Sequence, residues 1–382
     1  MMREHGMPGS SPVRLFGATP PRKIAVFRAL QLGDMLCAVP ALRALRAAAP
    51  LADITLIGLP WATSFVKRFS KYVNHLLVFP GFPGLPETSL HLPAVPNFLA
   101  EAHRQRFDLA LQLHGSGTIS NPLTVLFGAE CSAGFYLPGE YCPDPIHYLP
   151  WDEREHEVLR GVRLMEYLGA SPHGTHLEFP LTDADYRAMQ RSHLSVPEPG
   201  TYVCVHPGAR LPSRRWQAQR FAEVADRLAA QGMKIVLTGS PEEAELVRTV
   251  QRAMRMPALD LSGKTELGAL AALIAQARLV VANDTGISHV AAAVGTPSVI
   301  VSCGSDPGRW APLDTARHQV ISVDVACRPC GHRICPTAHE CAEEVSAETV
   351  AMTAARLLDS DMPHHDFHAN NITSHNLTGA RL

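Results

Sequence analysis

The chain has 382 residues, 46% of them hydrophobic and 18% charged, which suits about two domains of ordinary size and excludes a mainly disordered chain. Its 34 Lys and Arg against 36 Asp and Glu leave a formal charge of −2, excluding the general basic surplus of a nucleic-acid binder. No apolar run reaches the roughly 18–20 residues of a membrane helix, and residues 1–22 hold no apolar signal core, so a soluble cytoplasmic protein is expected.

In chain order, residues 1–22 are rich in Pro, Gly and Ser and are expected to form a flexible arm. KIAVFR at 23–28 reads as a strand, and 34–48 as a helix with Met35, Leu36, Val39, Leu42 and Leu45 at helical spacing. A strand at 53–57, a helix near 62–69 and a strand at 75–79 follow. Beyond the Pro-rich FPGFPGLPE come a strand at 107–113 and a helix at 153–168. Alternating strands and helices imply parallel pairing with right-handed crossovers. A second run begins after Pro197-Glu198-Pro199-Gly200. Strands at 202–205, 234–238, 259–261, 279–282 and 298–302 alternate with helices at 216–230, 241–254, 267–276 and 287–294. The Val/Ile runs KIVLTG, RLVVAN and PSVIVS suit strands covered on both faces. The expected architecture is α/β: two doubly wound domains over 23–180 and 200–360, a linker over 181–199 and a flexible tail over 361–382.

Neither G-x-G-x-x-G after a strand nor G-x-x-x-x-G-K-[ST] occurs, which argues against a common dinucleotide dehydrogenase and a P-loop enzyme. Ligands of such sheets bind outside the carboxyl ends of the strands, so the loops there carry the chemistry. Gly33-Asp34 follows the first strand; Asp34 is either a helix cap or a carboxylate placed to take a proton. His206-Pro207-Gly208-Ala209-Arg210 and Ser213-Arg214-Arg215-Trp216 combine small residues with guanidinium groups. They suit a phosphate, or form a solvated basic loop. Gly239-Ser240-Pro241-Glu242-Glu243 is a plain helix start or offers a carboxylate to a ribose diol. Asn283-Asp284-Thr285-Gly286-Ile287-Ser288-His289 is the most specific segment. It gathers an amide, a carboxylate, a hydroxyl, a glycine and an imidazole at one helix N-terminus, where capping needs a single group.

These segments, with Pro40-Ala-Leu-Arg and Asp306-Pro-x-Arg-Trp310-x-Pro312, appear in an order that resembles the glycosyltransferase family 9 heptosyltransferases. The resemblance covers about residues 23–358 and is strongest in the C-terminal half. It implies a GT-B fold, two Rossmann-like domains facing across a cleft, with the donor nucleotide sugar held mainly by the second. It implies an inverting, metal-independent transfer with Asp34 as base, probed against an ADP-sugar donor, first of all ADP-heptose. Carried over, Gly208, Ala209, Glu243, Asp284, Thr285, Gly286 and His289 match the donor site. Arg214 or Arg215 stands where the family commonly has a phosphate-contacting Lys, and a planar fork is not a point charge. Acceptor contacts do not carry over. The candidates are Gly33 and the loop His114-Gly-Ser116-Gly-Thr-Ile-Ser-Asn121, which also reads as an ordinary turn. The implied acceptor is a hydroxyl of a glycan such as lipopolysaccharide core, with peripheral contact to an inner-membrane glycolipid and no nucleic-acid partner. The alternatives are a GT-B nucleotide-sugar 2-epimerase and a non-catalytic nucleotide-sugar binding protein.

Cys327-x2-Cys330-x4-Cys335-x5-Cys341, with His332 and His339 between, is a separate signal. Four thiolates, or three thiolates and one imidazole, suit a structural zinc, although the last spacing is loose; reduced structural thiols are the other reading.

Overall fold

Strand β1 (Lys23–Phe27) shows why the molecule is layered. Ile24 and Val26 enter one buried cluster while Ala25 and Phe27 enter another, the two-residue period of a strand covered on both faces. In the computed structural model, which describes residues 15–17, 19–191 and 196–360, the same rule repeats through two sheets. The expected arm through residue 14, the tail from 361 and residues 192–195 of the expected linker lie outside the described residues.

The first sheet adds β2 (Asp53–Gly58), β3 (His75–Val78), β4 (Leu109–Gln112), β5 (Cys131–Tyr136) and β6 (Tyr148–Pro150), in the order β3-β2-β1-β4-β5-β6. The second holds β7 (Tyr202–His206), β8 (Lys234–Leu237), β9 (Ala258–Asp260), β10 (Leu279–Asn283), β11 (Ser298–Val301) and β12 (His318–Ile321), in the order β12-β11-β10-β7-β8-β9. Every pair is parallel, with Ile24 opposite Ile54 and Leu109, and Val281 opposite Val205 and Val299. Six strands per sheet in the same relative order make two Rossmann-like domains of the α/β class.

The domains share a core. One continuous cluster runs from Ile24, Met35 and Leu164 of the first to Tyr202, Leu273 and Val290 of the second. The helices Leu32–Ala48 and Gly286–Val294 face each other across this boundary. The outer faces close separately, around Phe27 and Phe127 in the first domain and Trp216 and Phe221 in the second.

Several elements escape the sequence pattern. β5 reads CSAGFY, β6 has three residues and β12 reads HQVI; none shows the Val/Ile run that marked the central strands. Helix Val95–Gln105 starts among prolines that resemble loop punctuation. Helix Ala347–Asp359 closes the second domain beside helix Ala218–Ala230. The expected linker contains a helix, Asp183–Arg191, packed on helix Leu267–Gln276 and tied to the first domain by Asp185 and Arg68 at 2.8 Å. It therefore couples both domains instead of trailing between them.

Candidate functional site

In each sheet the strand order reverses at the centre, between β1 and β4 and between β7 and β10. The crevice beyond the carboxyl ends of such a pair is where ligands bind. In the first domain the segments there are 28–34 and 113–119; in the second they are 207–215 and 284–286. The expected site loops thus fall at the two switch points, with 239–243 beside the second, after β8.

Gln31, not Asp34, caps the first helix. Asp34 lies one turn in, and its Oδ2 accepts from Gln31 N at 3.2 Å, closing a capping box. Its backbone carbonyl accepts from Arg28 Nε at 3.0 Å and Nη2 at 2.7 Å. Burial pushes the Asp34 carboxyl above its ordinary range; Arg28 and His289 oppose this, and Glu157 adds to it. Once ionised, such a carboxylate is a stronger proton acceptor than a solvated one.

The second domain brings its turn to the same place. Thr285 caps helix Gly286–Val294 and its Oγ1 accepts from Ile287 N at 3.4 Å. Asp284 accepts from Ser305 Oγ, and Asp284, Thr285 and Gly286 stay half-exposed. His289 is buried, with Nδ1 3.6 Å from Cys37 Sγ; burial holds its pKa down, against the pull of Asp284 and Asp34. Gly33 is one point where the domains touch: a Cβ there would stand 2.7 Å from His289 Cδ2.

Asn283 binds two of the motifs together. It is fully buried, its Nδ2 donates to Pro207 O at 2.7 Å, and its Oδ1 accepts from Trp216 N at 3.0 Å. Within the 207–216 loop, Gly208 lies against Glu243. A Cβ on Gly208 would meet the Glu243 carboxylate at 2.2 Å. Glu243 accepts from Ser240 N at 2.9 Å and lies 3.7 Å from His206 Nε2, so its carboxylate is fixed beside Gly208 and Ala209. Arg215 Nε donates to Ala209 O at 2.8 Å. Arg214 Nη2 donates to Cys330 O at 3.3 Å, and its buried Nε has no partner. Both arginines therefore brace the loop with part of the guanidinium group.

The cysteine loop packs on this edge. Ser213 Oγ donates to His332 O at 2.5 Å, His339 Nε2 is 2.8 Å from Ser213 O, and Cys330 N donates to Gly304 O at 2.7 Å. In this metal-free structure no three of Cys327, Cys330, Cys335 and Cys341 gather their sulfurs within 4.8 Å. Cys330 is pressed against Gly304 and Cys341 enters the second-domain core, while Cys327 is exposed. Burial raises the Cys341 thiol, and Cys327, Cys335 and Cys330 are near enough to add to that rise. The one trio of metal-type donors gathered among the described residues is Cys131, Asp144 and His147, beside β5 and β6.

On the first-domain side, His114 is buried and stacked on Phe27 at 4.7 Å. Ser116 is half-buried, with Oγ 3.3 Å from Thr118 Oγ1. Asn121 is fully buried and its Nδ2 donates to Phe135 O at 2.9 Å, so its side chain holds the loop to β5.

Sequence reasoning missed a charge centre. Glu157 receives Arg28 at 3.0 Å, Arg309 at 3.0 Å and Arg160. Burial would raise the Glu157 carboxyl, but Arg28, Arg309 and Arg160 outweigh it and bring it down to about 2. Arg309 reaches across from the second domain, and His156 Nε2 lies 2.7 Å from Ala311 O beside it. An acidic residue at a helix start looks like ordinary dipole compensation. The one sequence signal was Arg309 inside the Asp306–Pro312 motif.

Comparison with known proteins gives the family and the fold. The chain is 28% identical over 217 residues to lipopolysaccharide heptosyltransferase 3 of Escherichia coli (strain K12), covering 56% of this chain and 63% of that protein. It is 27% identical over 329 residues to lipopolysaccharide heptosyltransferase 2 of the same strain, covering 80% and 92%. The structure of E. coli ADP-heptose LPS heptosyltransferase II superposes with a TM-score of 0.70 at 22% identity, over 88% of this chain and 98% of that one, which gives the same GT-B fold. The family model for glycosyltransferase family 9 (heptosyltransferase) matches residues 100–340, and this chain belongs to that family.

Proposed function

We propose that the protein transfers a heptosyl group from ADP-heptose to a hydroxyl of a lipopolysaccharide-core glycan, with inversion at the anomeric carbon. The observation that carries this reading is the meeting of Gly33-Asp34 with Gly286 and His289, which gives a proton acceptor and a candidate donor turn one shared cleft. Similarity to the lipopolysaccharide heptosyltransferases and to the ADP-heptose LPS heptosyltransferase II of E. coli supports the substrate class.

The chemistry follows from the groups present. An acceptor hydroxyl oxygen bonds to the anomeric carbon on the face opposite the nucleotide, and its proton passes to Asp34. The bond from the anomeric carbon to the phosphate oxygen breaks, and ADP leaves. Arg214 or Arg215, with the N–H groups of Gly208, Ala209, Thr285 and Gly286, stabilises the departing diphosphate. Glu243 accepts from the ribose diol, and Asp284 and His289 meet the donor sugar. In this reading the guanidinium and N–H groups supply the charge stabilisation, without a catalytic metal. The enzyme would work at the cytoplasmic face of the inner membrane by peripheral contact with its glycolipid. No helix among the described residues is long and apolar enough to cross a membrane.

Incubation with ADP-heptose and a deacylated inner-core oligosaccharide, followed by proton NMR of the new linkage, tests the reading. Release of ADP with an inverted anomeric centre is expected. Retained configuration contradicts the mechanism, and conversion of the donor sugar without an acceptor would indicate an epimerase.

A further inference from the structure

The connection from β5 to β6 carries a cluster that the transfer chemistry does not use. Parallel strands are usually joined through a crossover helix, yet residues 137–147 contain neither helix nor strand. A set of metal-type donors gathers there instead. Cys131 opens β5, Asp144 lies in the returning turn, and His147 directly precedes β6. Their ligand atoms all lie within 4.8 Å of one another, and no other such trio occurs among the described residues.

Both partners of His147 converge on one ring nitrogen. Nδ1 is 2.5 Å from Asp144 Oδ2 and 3.6 Å from Cys131 Sγ. A Cys–His–Asp relay places thiol and carboxylate on opposite nitrogens of the ring, so this is not an activated nucleophile. Three donors around one point is the arrangement of ligands about a cation. Zinc bonds of about 2.0–2.3 Å hold such donors roughly 3–4 Å apart. Asp144 Oδ1 accepts from Ile146 N at 2.8 Å, which fixes the turn and leaves Oδ2 for the cluster. Solvent reaches the donors: the His147 and Asp144 side chains are 15% and 31% exposed, and Cys131 is half-buried.

We infer that Cys131, Asp144 and His147 bind one zinc-class divalent cation, which clips the 137–147 loop to the edge of the first sheet. The cation takes the place of the proton shared by His147 and Asp144 and of the Cys131 thiol proton, and both protons pass to solvent. One thiolate, one imidazole and one carboxylate suit Zn²⁺, whereas Mg²⁺ and Ca²⁺ require oxygen ligands. Cys142, two residues before Asp144, is outside the gathered set, so the fourth position falls to water. The role is structural. Cys131 and His147 stand at the amino ends of β5 and β6, whereas the Asp34 loop follows the carboxyl end of β1. The same loop reaches Asn121, whose Nδ2 donates to Tyr141 O at 3.4 Å, so the clip steadies the chain that backs residues 114–121.

The test uses the full chain, reduced and stripped with a chelator, with Zn²⁺ alone as probe. Cys131→Ser, Asp144→Asn and His147→Gln all leave the 327–341 cysteines in place, so any metal held there is common to every protein compared. In calorimetric titration each variant should bind one equivalent of Zn²⁺ fewer than the unmodified protein, with affinity at this site down about a hundredfold or more. Zn²⁺ should raise the Tm of the unmodified protein above any rise seen in the variants. A second measurement needs no variant: anomalous diffraction at the zinc edge from Zn²⁺-soaked crystals of the unmodified protein should place a peak among the three side chains. The inference is overturned if the variants take up as much Zn²⁺ as the unmodified protein, or if no anomalous peak lies between Cys131, Asp144 and His147.

Discussion

At Asp34 the proposed role and stability oppose each other in one side chain. Its folded pKa lies above the unfolded value because burial disfavours the carboxylate. A group shifted this way stabilises the fold at pH values below its unfolded pKa, and that contribution is lost as pH rises through the folded one. Asp34→Asn should therefore raise the Tm at pH 8 and leave it nearly unchanged at pH 3, where both side chains are neutral. Melting curves at the two pH values check this, and a lower Tm at pH 8 would contradict it. On the donor side, Arg214→Ala, Arg215→Ala and Thr285→Ala should each weaken ADP binding by ~1–3 kcal/mol where a charged hydrogen bond is lost. Gly208→Ala should do the same indirectly, since a Cβ 2.2 Å from the Glu243 carboxylate must displace it. Calorimetric titration with ADP measures all four, and unchanged affinity throughout would move the donor elsewhere. At this scale the candidate site was largely legible, because residues 283–289 concentrate more polar chemistry than a helix cap needs. The clamp made by Asn283 was not, since its partners at Pro207 and Trp216 lie 76 and 67 residues away in sequence.

At the scale of elements, the Glu157 centre joins the start of one helix to the first-strand loop and to the 306–312 segment of the second domain. Arg28, one of its partners, also holds the Asp34 carbonyl, so the charge centre and the proposed base share a brace. The Glu157 carboxyl is depressed to about 2, so its contribution to stability is present above the ordinary carboxylate range and is lost as pH falls toward 2. Glu157→Gln leaves Arg28, Arg160 and Arg309 with an uncompensated buried charge, and a loss of about 3–5 kcal/mol is expected by urea denaturation at pH 7. A loss below about 1 kcal/mol would show that water compensates these arginines. The central strands were readable because burial on both faces demands unbroken Val and Ile, as in KIVL and LVVAN. The edge strands β6 and β12 lacked that demand, and β5 contains Gly134 because a Cβ there would press on Gln112 at 2.7 Å. Helix Asp183–Arg191 was read as linker because its buried contacts are few, Asp185 and Met189, and one of them is a carboxylate shared between neighbouring Thr182 and distant Arg68.

For the whole molecule, the alternation of strands and helices gave two α/β domains, but their relative placement depends on contacts no local pattern encodes. The shared core, the approach of Gly33 to His289 and the reach of Arg309 to Glu157 set how the two domains meet. The central claim is that this placement makes Asp34 the proton acceptor for a glycosyl transfer whose donor sits in the second domain. The most direct measurement is kcat for Asp34→Asn with ADP-heptose and the inner-core oligosaccharide, taken beside the ADP affinity of the same preparation. The account predicts a fall in kcat of ~10²–10⁴-fold with ADP affinity retained, whereas a kcat within about tenfold of the unmodified enzyme would contradict it.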